Sequence, residues 1–202
     1  MPKPSLNCVN NSEQHGSFAI FRDGPPNQDQ EPSVLVWMAY PVAPGSEVTL
    51  TWLEDYSFVW SESGTVTPDA SFVARQVLPA DLNERNHVQL TVDSLGAPMF
   101  QALGSGGQPG ALTVEILQNV VPDRIQVGFG LSGLAVHTVT AQPNTTTVFT
   151  PASTSNYWVG FGNFRTGEPA GIVASNVVEV VPAVVGQNPT ATLMPDGIVA
   201  IT

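Results

Sequence analysis

Val48-Thr49-Leu50-Thr51-Trp52 and, four residues on, Tyr56-Ser57-Phe58-Val59-Trp60 decide the fold class of this chain. In the first run Val48, Leu50 and Trp52 alternate with threonines. In the second Tyr56, Phe58 and Trp60 alternate with Ser57 and Val59. Side chains of a strand point to opposite faces in turn, so a period of two predicts half-buried strands rather than helices.

The same alternation recurs in both directions. Towards the N-terminus it predicts strands over Leu6 to Val9 and Ser17 to Phe21. Val34 to Tyr40 is apolar on both faces and reads as a central strand. Towards the C-terminus it predicts strands from Ser71 to Gln76, His87 to Val92, Leu112 to Leu117, Ile125 to Phe129, Ala135 to Ala141 and Thr147 to Phe149. Four more follow at Tyr157 to Phe161, Val177 to Val181, Ala191 to Met194 and Ile198 to Ile201. Most of the eighteen glycines and eighteen prolines fall between these runs, where turns need positive φ or a φ preset near −65°.

Asp196-Gly197 is the clearest tight hairpin. Arg22 to Pro32 and Gly104 to Gly110 read as surface loops, and a single turn near Pro79 to Asn83 is the one helix candidate. Regular short strands with turn signals predict an all-β chain, an antiparallel β-sandwich of jelly-roll type, as one domain over residues 1–202. Val127-Gly128-Phe129-Gly130 is echoed by Val159-Gly160-Phe161-Gly162, which at most marks equivalent strands of two sheets.

Composition narrows the function classes. Six basic residues face seventeen acidic ones, and only 11% of the chain is charged. Phosphate backbones and anionic membrane surfaces are held by clustered Lys and Arg, so neither is an expected partner. The single Cys8 allows no intramolecular disulfide, and 202 residues suffice to bury a core without one. No apolar stretch approaches the ~18 residues of a membrane span. The start from Met1 carries no secretory pattern, which makes cytoplasmic synthesis the default and leaves non-classical export open. A polar surface with so little charge suits packing against copies of itself or against a neutral glycan.

The motifs then point to a family. Asn10-Asn11-Ser12 with Gly16 to Phe21, the stretch Trp52 to Pro68, Gln126 to Gly133 with Ala141 to Asn144, and Tyr157 to Phe164 with Gly167-Glu168 resemble the rhizosphere-induced protein family, RhiA type, over most of the chain and in the family's order. These are residues of strands and turns, so the resemblance implies a shared fold. It implies a soluble microbial protein linked to community life, and it supplies no activity, cofactor or site residue.

Chemical motifs give less. Gly128-Phe129-Gly130-Leu131-Ser132-Gly133 fits G-x-G-x-x-G, yet a dinucleotide site needs a helix after the last glycine, and Leu134 to Ala141 reads as a strand. Ser132 lacks the strand-turn-helix setting of a nucleophile elbow, and His15, His87 and His137 are scattered. Cys8 alternates with Leu6, as a buried small hydrophobe does. Paired cysteines and H-x-x-x-H are absent from the sequence, so no cofactor is expected. Glu54, Asp55 and Glu62 flank the Tyr56 to Trp60 strand and are the candidate calcium ligands, should they meet across a loop.

The aromatic residues carry the remaining signal. Tyr157 and Trp158 are strand neighbours, so if Tyr157, Val159 and Phe161 form the core face, Trp158 shares the other face with Gly160 and Gly162. With Asn156 and Asn163 nearby, that face is the candidate binding surface. The reading is a non-enzymatic protein acting by self-association or surface binding, with a carbohydrate-binding module, calcium-assisted or not, as the alternative.

Overall fold

The alternating runs become strands, and the computed structural model shows where they pair. It describes residues 3–22, 33–62, 71–151, 156–169, 177–180 and 188–202, and the regular structure among them is all β. In chain order the strands are β1 (Ser5–Asn10), β2 (Gly16–Arg22), β3 (Ser33–Val34), β4 (Met38–Val42), β5 (Glu47–Thr51), β6 (Tyr56–Ser61), β7 (Gln76–Pro79), β8 (His87–Val92) and β9 (Pro98–Gly104). They continue as β10 (Leu112–Ile116), β11 (Gln126–Leu131), β12 (Leu134–Thr140), β13 (Thr145–Phe149), β14 (Tyr157–Gly162), β15 (Val177–Val180), β16 (Thr190–Leu193) and β17 (Val199–Ile201). No helix among the described residues is long and apolar enough to cross a membrane.

Two compact units share the chain: unit 1 is Met1–Leu53 with Ala152–Thr202, and unit 2 is Glu54–Pro151. In unit 2 one sheet runs β13-β10-β8-β9 and a second contains the run β12-β11-β6-β7. Phe58 of β6 meets Phe100 of β9 edge-on at 6.2 Å and Phe129 of β11 meets Phe149 of β13 at 5.7 Å, within the ~4.5–7 Å typical of such pairs. In unit 1 the sheets run β17-β16-β1-β5 and β15-β14-β2-β4.

The two units are built to one plan. In each, two successive hairpins (β6-β7 and β8-β9; β14-β15 and β16-β17) supply half of both sheets. The other half comes from four strands in the order β10, β11, β12, β13 or β1, β2, β4, β5. β11 pairs with β6 as β2 pairs with β14, antiparallel, and β10 pairs with β8 as β1 pairs with β16, parallel. Along the hairpin halves the offset is constant: Tyr157 follows Tyr56, Val177 follows Gln76 and Gly197 follows Gly96 by 101 residues. The turns agree in detail. Asp93 N–H donates to Ala97 O and Gly96 N–H to Asp93 O, and Met194 N–H and Gly197 N–H donate to Ile198 O and Met194 O in the same way. Gly96 and Gly197 both have φ +84°, the left-handed region that glycine enters at no steric cost.

Several expectations change here. The sheets are not wholly antiparallel, because β8-β10 and β1-β16 run parallel; alternation reveals which face a residue takes and carries no information on strand direction. Val34 to Tyr40 is not a central strand. It breaks after Leu35, which bridges to Pro169, at Val36 and Trp37, which are buried outside any strand, and β4 beyond them is a sheet edge. Ser71 to Arg75 form no strand; β7 starts at Gln76 and ends at Pro79, and residues 80–83 form no helix. β9 opens on Pro98, a residue tolerated at the start of an edge strand. The Gly-Phe-Gly echo lies on β11 and β14, whereas the common plan matches β14 with β6. Residues 23–32 of the predicted Arg22 to Pro32 loop lie outside the described residues.

Candidate functional site

β14 carries the predicted surface and shows both of its faces. Tyr157, Val159 and Phe161 are buried, and Trp158 on the other face is half-buried, as alternation requires. Tyr157 stands in a cage: stacked on Trp37 at 5.8 Å, edge-on to Trp52 at 5.0 Å, with the buried Arg22 guanidinium 5.1 Å from its ring centroid. A cation over an aromatic face in a dry site is attracted to the ring's negative quadrupole.

Trp158 packs against the buried cluster of Ala19, Phe21 and Val36, as do Val34, Ala39 and Phe164. Its face is therefore not a bare glycine strip. Phe164 lies over Gly162, where an added Cβ would sit 3.1 Å from the ring, and meets Phe21 edge-on at 5.6 Å. The indole Nε1 of Trp158 is buried with no hydrogen-bond partner among the described residues.

Asn163, exposed just past the end of β14, lines a groove of about 620 Å³ with His15, Ser17, Pro41, Phe164 and Arg165. The groove forms where the start of β2, the end of β4 and the turn after β14 meet. Arg165 is held by Glu168, whose carboxylate accepts the Arg165 backbone N–H at 3.0 Å. Asn156 is half-buried, and neither it, Tyr157 nor Trp158 lines the groove. His15, Phe164 and Arg165 carried no sequence signal, because their proximity comes from the β2-β14 pairing.

Glu54, Asp55 and Glu62 are all exposed and stand at opposite ends of β6. A six-residue strand rising ~3.3 Å per residue holds its ends about 20 Å apart, so they do not meet. Among the described residues no three of His, Cys, Asp and Glu converge on a cation position.

The glycine motif of β11 has a structural use. Ser132 (φ 51°) and Gly133 (φ 78°) form the two-residue turn between β11 and β12, the left-handed pair of a type I′ hairpin. Gly128 and Gly130 face carbonyls of β12: an added Cβ would lie 1.9 Å from His137 O and 2.4 Å from Leu134 O, respectively. His137 stacks on Phe129 at 5.3 Å, and His87 Nε2 lies 3.5 Å from Glu115 Oε2. Cys8 is buried, and desolvation pushes its thiol up to about 12, which disfavours the thiolate.

On the outward faces of β1, β5 and β16 neutral polar residues stand side by side, with Glu47 at the start of β5. Asn7 stands between Thr190 and Thr49, Ser5 beside Thr51, and Thr49 Oγ1 donates to Asn7 Oδ1 at 3.3 Å. In unit 2 a polar ladder crosses three strands: Gln101 Nε2 donates to Gln89 Oε1 at 3.3 Å, and Gln89 Nε2 to Glu115 Oε2 at 2.8 Å.

These features define a class: all-β proteins of paired four-strand halves whose outward faces are rich in amides and hydroxyls. Within that class the chain belongs to the RhiA family, whose model matches residues 2–201. It is 30% identical over 160 residues to Protein RhiA of Rhizobium leguminosarum bv. viciae, covering 78% of this chain and 67% of that protein. No solved structure matches.

Proposed function

We propose that this protein acts without catalysis, by associating with copies of itself, in the community setting that the family resemblance implies. The reading takes each unit as a small β-sandwich. The observation that carries it is β13. An edge strand presents unpaired N–H and C=O groups, and proteins ordinarily blunt such edges with charge, proline, bulges or shortness. β4 contains Pro41, β5 starts at Glu47, β7 ends at Pro79, β9 opens on Pro98 and β17 has three residues. β13, Thr145-Thr146-Thr147-Val148-Phe149, has neither charge nor proline, and Val148 is 45% exposed. Among the described residues its ladder bonds go to β10 alone.

Sedimentation velocity over a concentration series tests the reading. The wild-type protein associates, and Val148→Lys, which places a charge on that edge, returns it to monomer. A wild-type protein that stays monomeric throughout refutes the proposal.

A second reading has its own observation, the groove of Asn163, Phe164, Arg165 and His15, where an aromatic ring stands beside amide and guanidinium donors. That combination suits a neutral sugar. Glycan-array binding that disappears in Asn163→Ala would favour it over self-association.

A further inference from the structure

β13 offers its free edge in a pattern that fits a second copy of itself run the opposite way. The direction of each peptide group follows from β10. Thr113 N–H and Leu117 N–H donate to Asn86 O and Leu90 O, on the β8 side, at 2.7 and 3.0 Å. Peptide groups of a strand point to alternate sides, so those of Leu112, Val114 and Ile116 face β13, where their partners are Phe149, Thr147 and Thr145. The N–H and C=O groups of Thr146 and Val148 therefore point away from β10, to the side where no strand is paired among the described residues. Both residues are exposed.

A second β13 laid antiparallel about a two-fold axis through Thr147 meets all of these groups. Thr146 then faces Val148 of the second copy and Val148 faces its Thr146, each pair exchanging both backbone bonds, with Thr147 opposite Thr147 as the close pair between them. A slip of two residues either way leaves only three of the five strand residues facing. In one direction it brings in Asn144, whose φ of 58° is not extended, and in the other Thr150, which lies beyond the strand and before Pro151. Charge favours the same occupant. β13 has none, and Glu115, beside it on β10, would stand three strand spacings from its copy, about 14 Å, beyond the ~10 Å screening length at 0.1 M salt.

We propose that two copies join through β13 in this register, making one continuous sheet in the order β9-β8-β10-β13 followed by its reverse. The inference rests on the self-association reading and adds the contact, its symmetry and its limit. A two-fold contact uses the same edge on both copies and leaves neither free. The outer edges of the joined sheet are both β9, blunted by Pro98 and by Ala102, whose φ is 53°. Association through this sheet therefore stops at the dimer.

The test uses single cysteines in a Cys8→Ala background. Facing residues of a non-hydrogen-bonded pair lie ~4.5 Å apart at Cα, inside the range a disulfide accepts. Residues displaced by two positions across the pair lie ~8 Å apart, outside it. Thr147→Cys therefore oxidises to a covalent dimer of doubled mass on a non-reducing gel, whereas Thr146→Cys and Val148→Cys, although more exposed, do not. Chance collision would rank them the other way. Mixing the Thr146→Cys and Val148→Cys proteins restores the covalent dimer, and this arm reads the same contact should Thr147→Cys fail to fold. A Val148→Cys dimer without a Thr147→Cys dimer overturns the register. Association in sedimentation velocity with none of these bonds overturns the β13 contact and leaves self-association standing. Protein that is monomeric at every concentration overturns both, and leaves the edge to a foreign extended peptide.

Discussion

Gly128→Ala asks whether the glycines of Gly128-Phe129-Gly130 serve the ladder. An alanine Cβ there would lie 1.9 Å from His137 O. Carbon and oxygen in contact need ~3.3 Å or more, the separation of the closest C–H···O contacts between strands, so β12 must move by about 1.4 Å. The obstacle is backbone of a paired strand, with Gly128 opposite Thr138 and His137 stacked on Phe129, so no rotamer relieves it. Overpacking by one methylene costs roughly 1–3 kcal/mol, and ladder bonds are lost as well, so about 3 kcal/mol is expected. Gly104→Ala is the control. It lies in β9 of the same unit, and an added Cβ meets nothing within 4 Å. Where the conformation suits alanine, this exchange stabilises by about 0.4–1 kcal/mol through the unfolded chain. Urea unfolding followed by far-UV circular dichroism reads both. With m near 2 kcal/mol/M, Gly128→Ala lowers the midpoint by roughly 1.5 M and Gly104→Ala raises it by a few tenths. A Gly128→Ala midpoint within 0.3 M of wild type would refute the steric argument.

Tyr157→Ala, which empties the cage of Trp37, Trp52 and Arg22, should cost about 4 kcal/mol, and Trp158→Ala, half-buried, about 2 kcal/mol; equal losses in thermal unfolding would contradict the two-face assignment of β14. The Asp81 carboxyl accepts the Glu84 and Asn83 backbone N–H groups and is held down to about 2 from 3.8. Its folded pKa is depressed, so its contribution is present above 3.8 and lost as pH falls through about 2. An NMR titration of Asp81 with a midpoint near 4 would show that the turn does not hold it. Association should strengthen with salt, because a chain of net charge −11 repels its copies and the screening length falls from ~10 Å at 0.1 M to ~3 Å at 1 M. Sedimentation showing weaker association at high salt would count against low-charge contacts between copies.

The sequence by itself determined the strand character of the chain and the faces of its strands. Alternation is local, and it correctly put Tyr157, Val159 and Phe161 on one side of β14 and Trp158 on the other. The turn chemistry of Asp196-Gly197 was legible for the same reason, since the positive φ of Gly197 is a requirement of a single residue. What lies across a strand is not local. The parallel pairs, the break at Val36 and Trp37, the separation of Glu54 and Asp55 from Glu62, and the groove joining His15 to Arg165 each depend on residues far apart in the chain. The common plan of the two units stayed hidden because pairing and turn geometry preserve it through different side chains, with Tyr56 and Tyr157, and Gly96 and Gly197, among the few identities. Only the tertiary structure could show that one unit is assembled from two segments lying on either side of the other in sequence, because no local pattern records which distant strand completes a sheet.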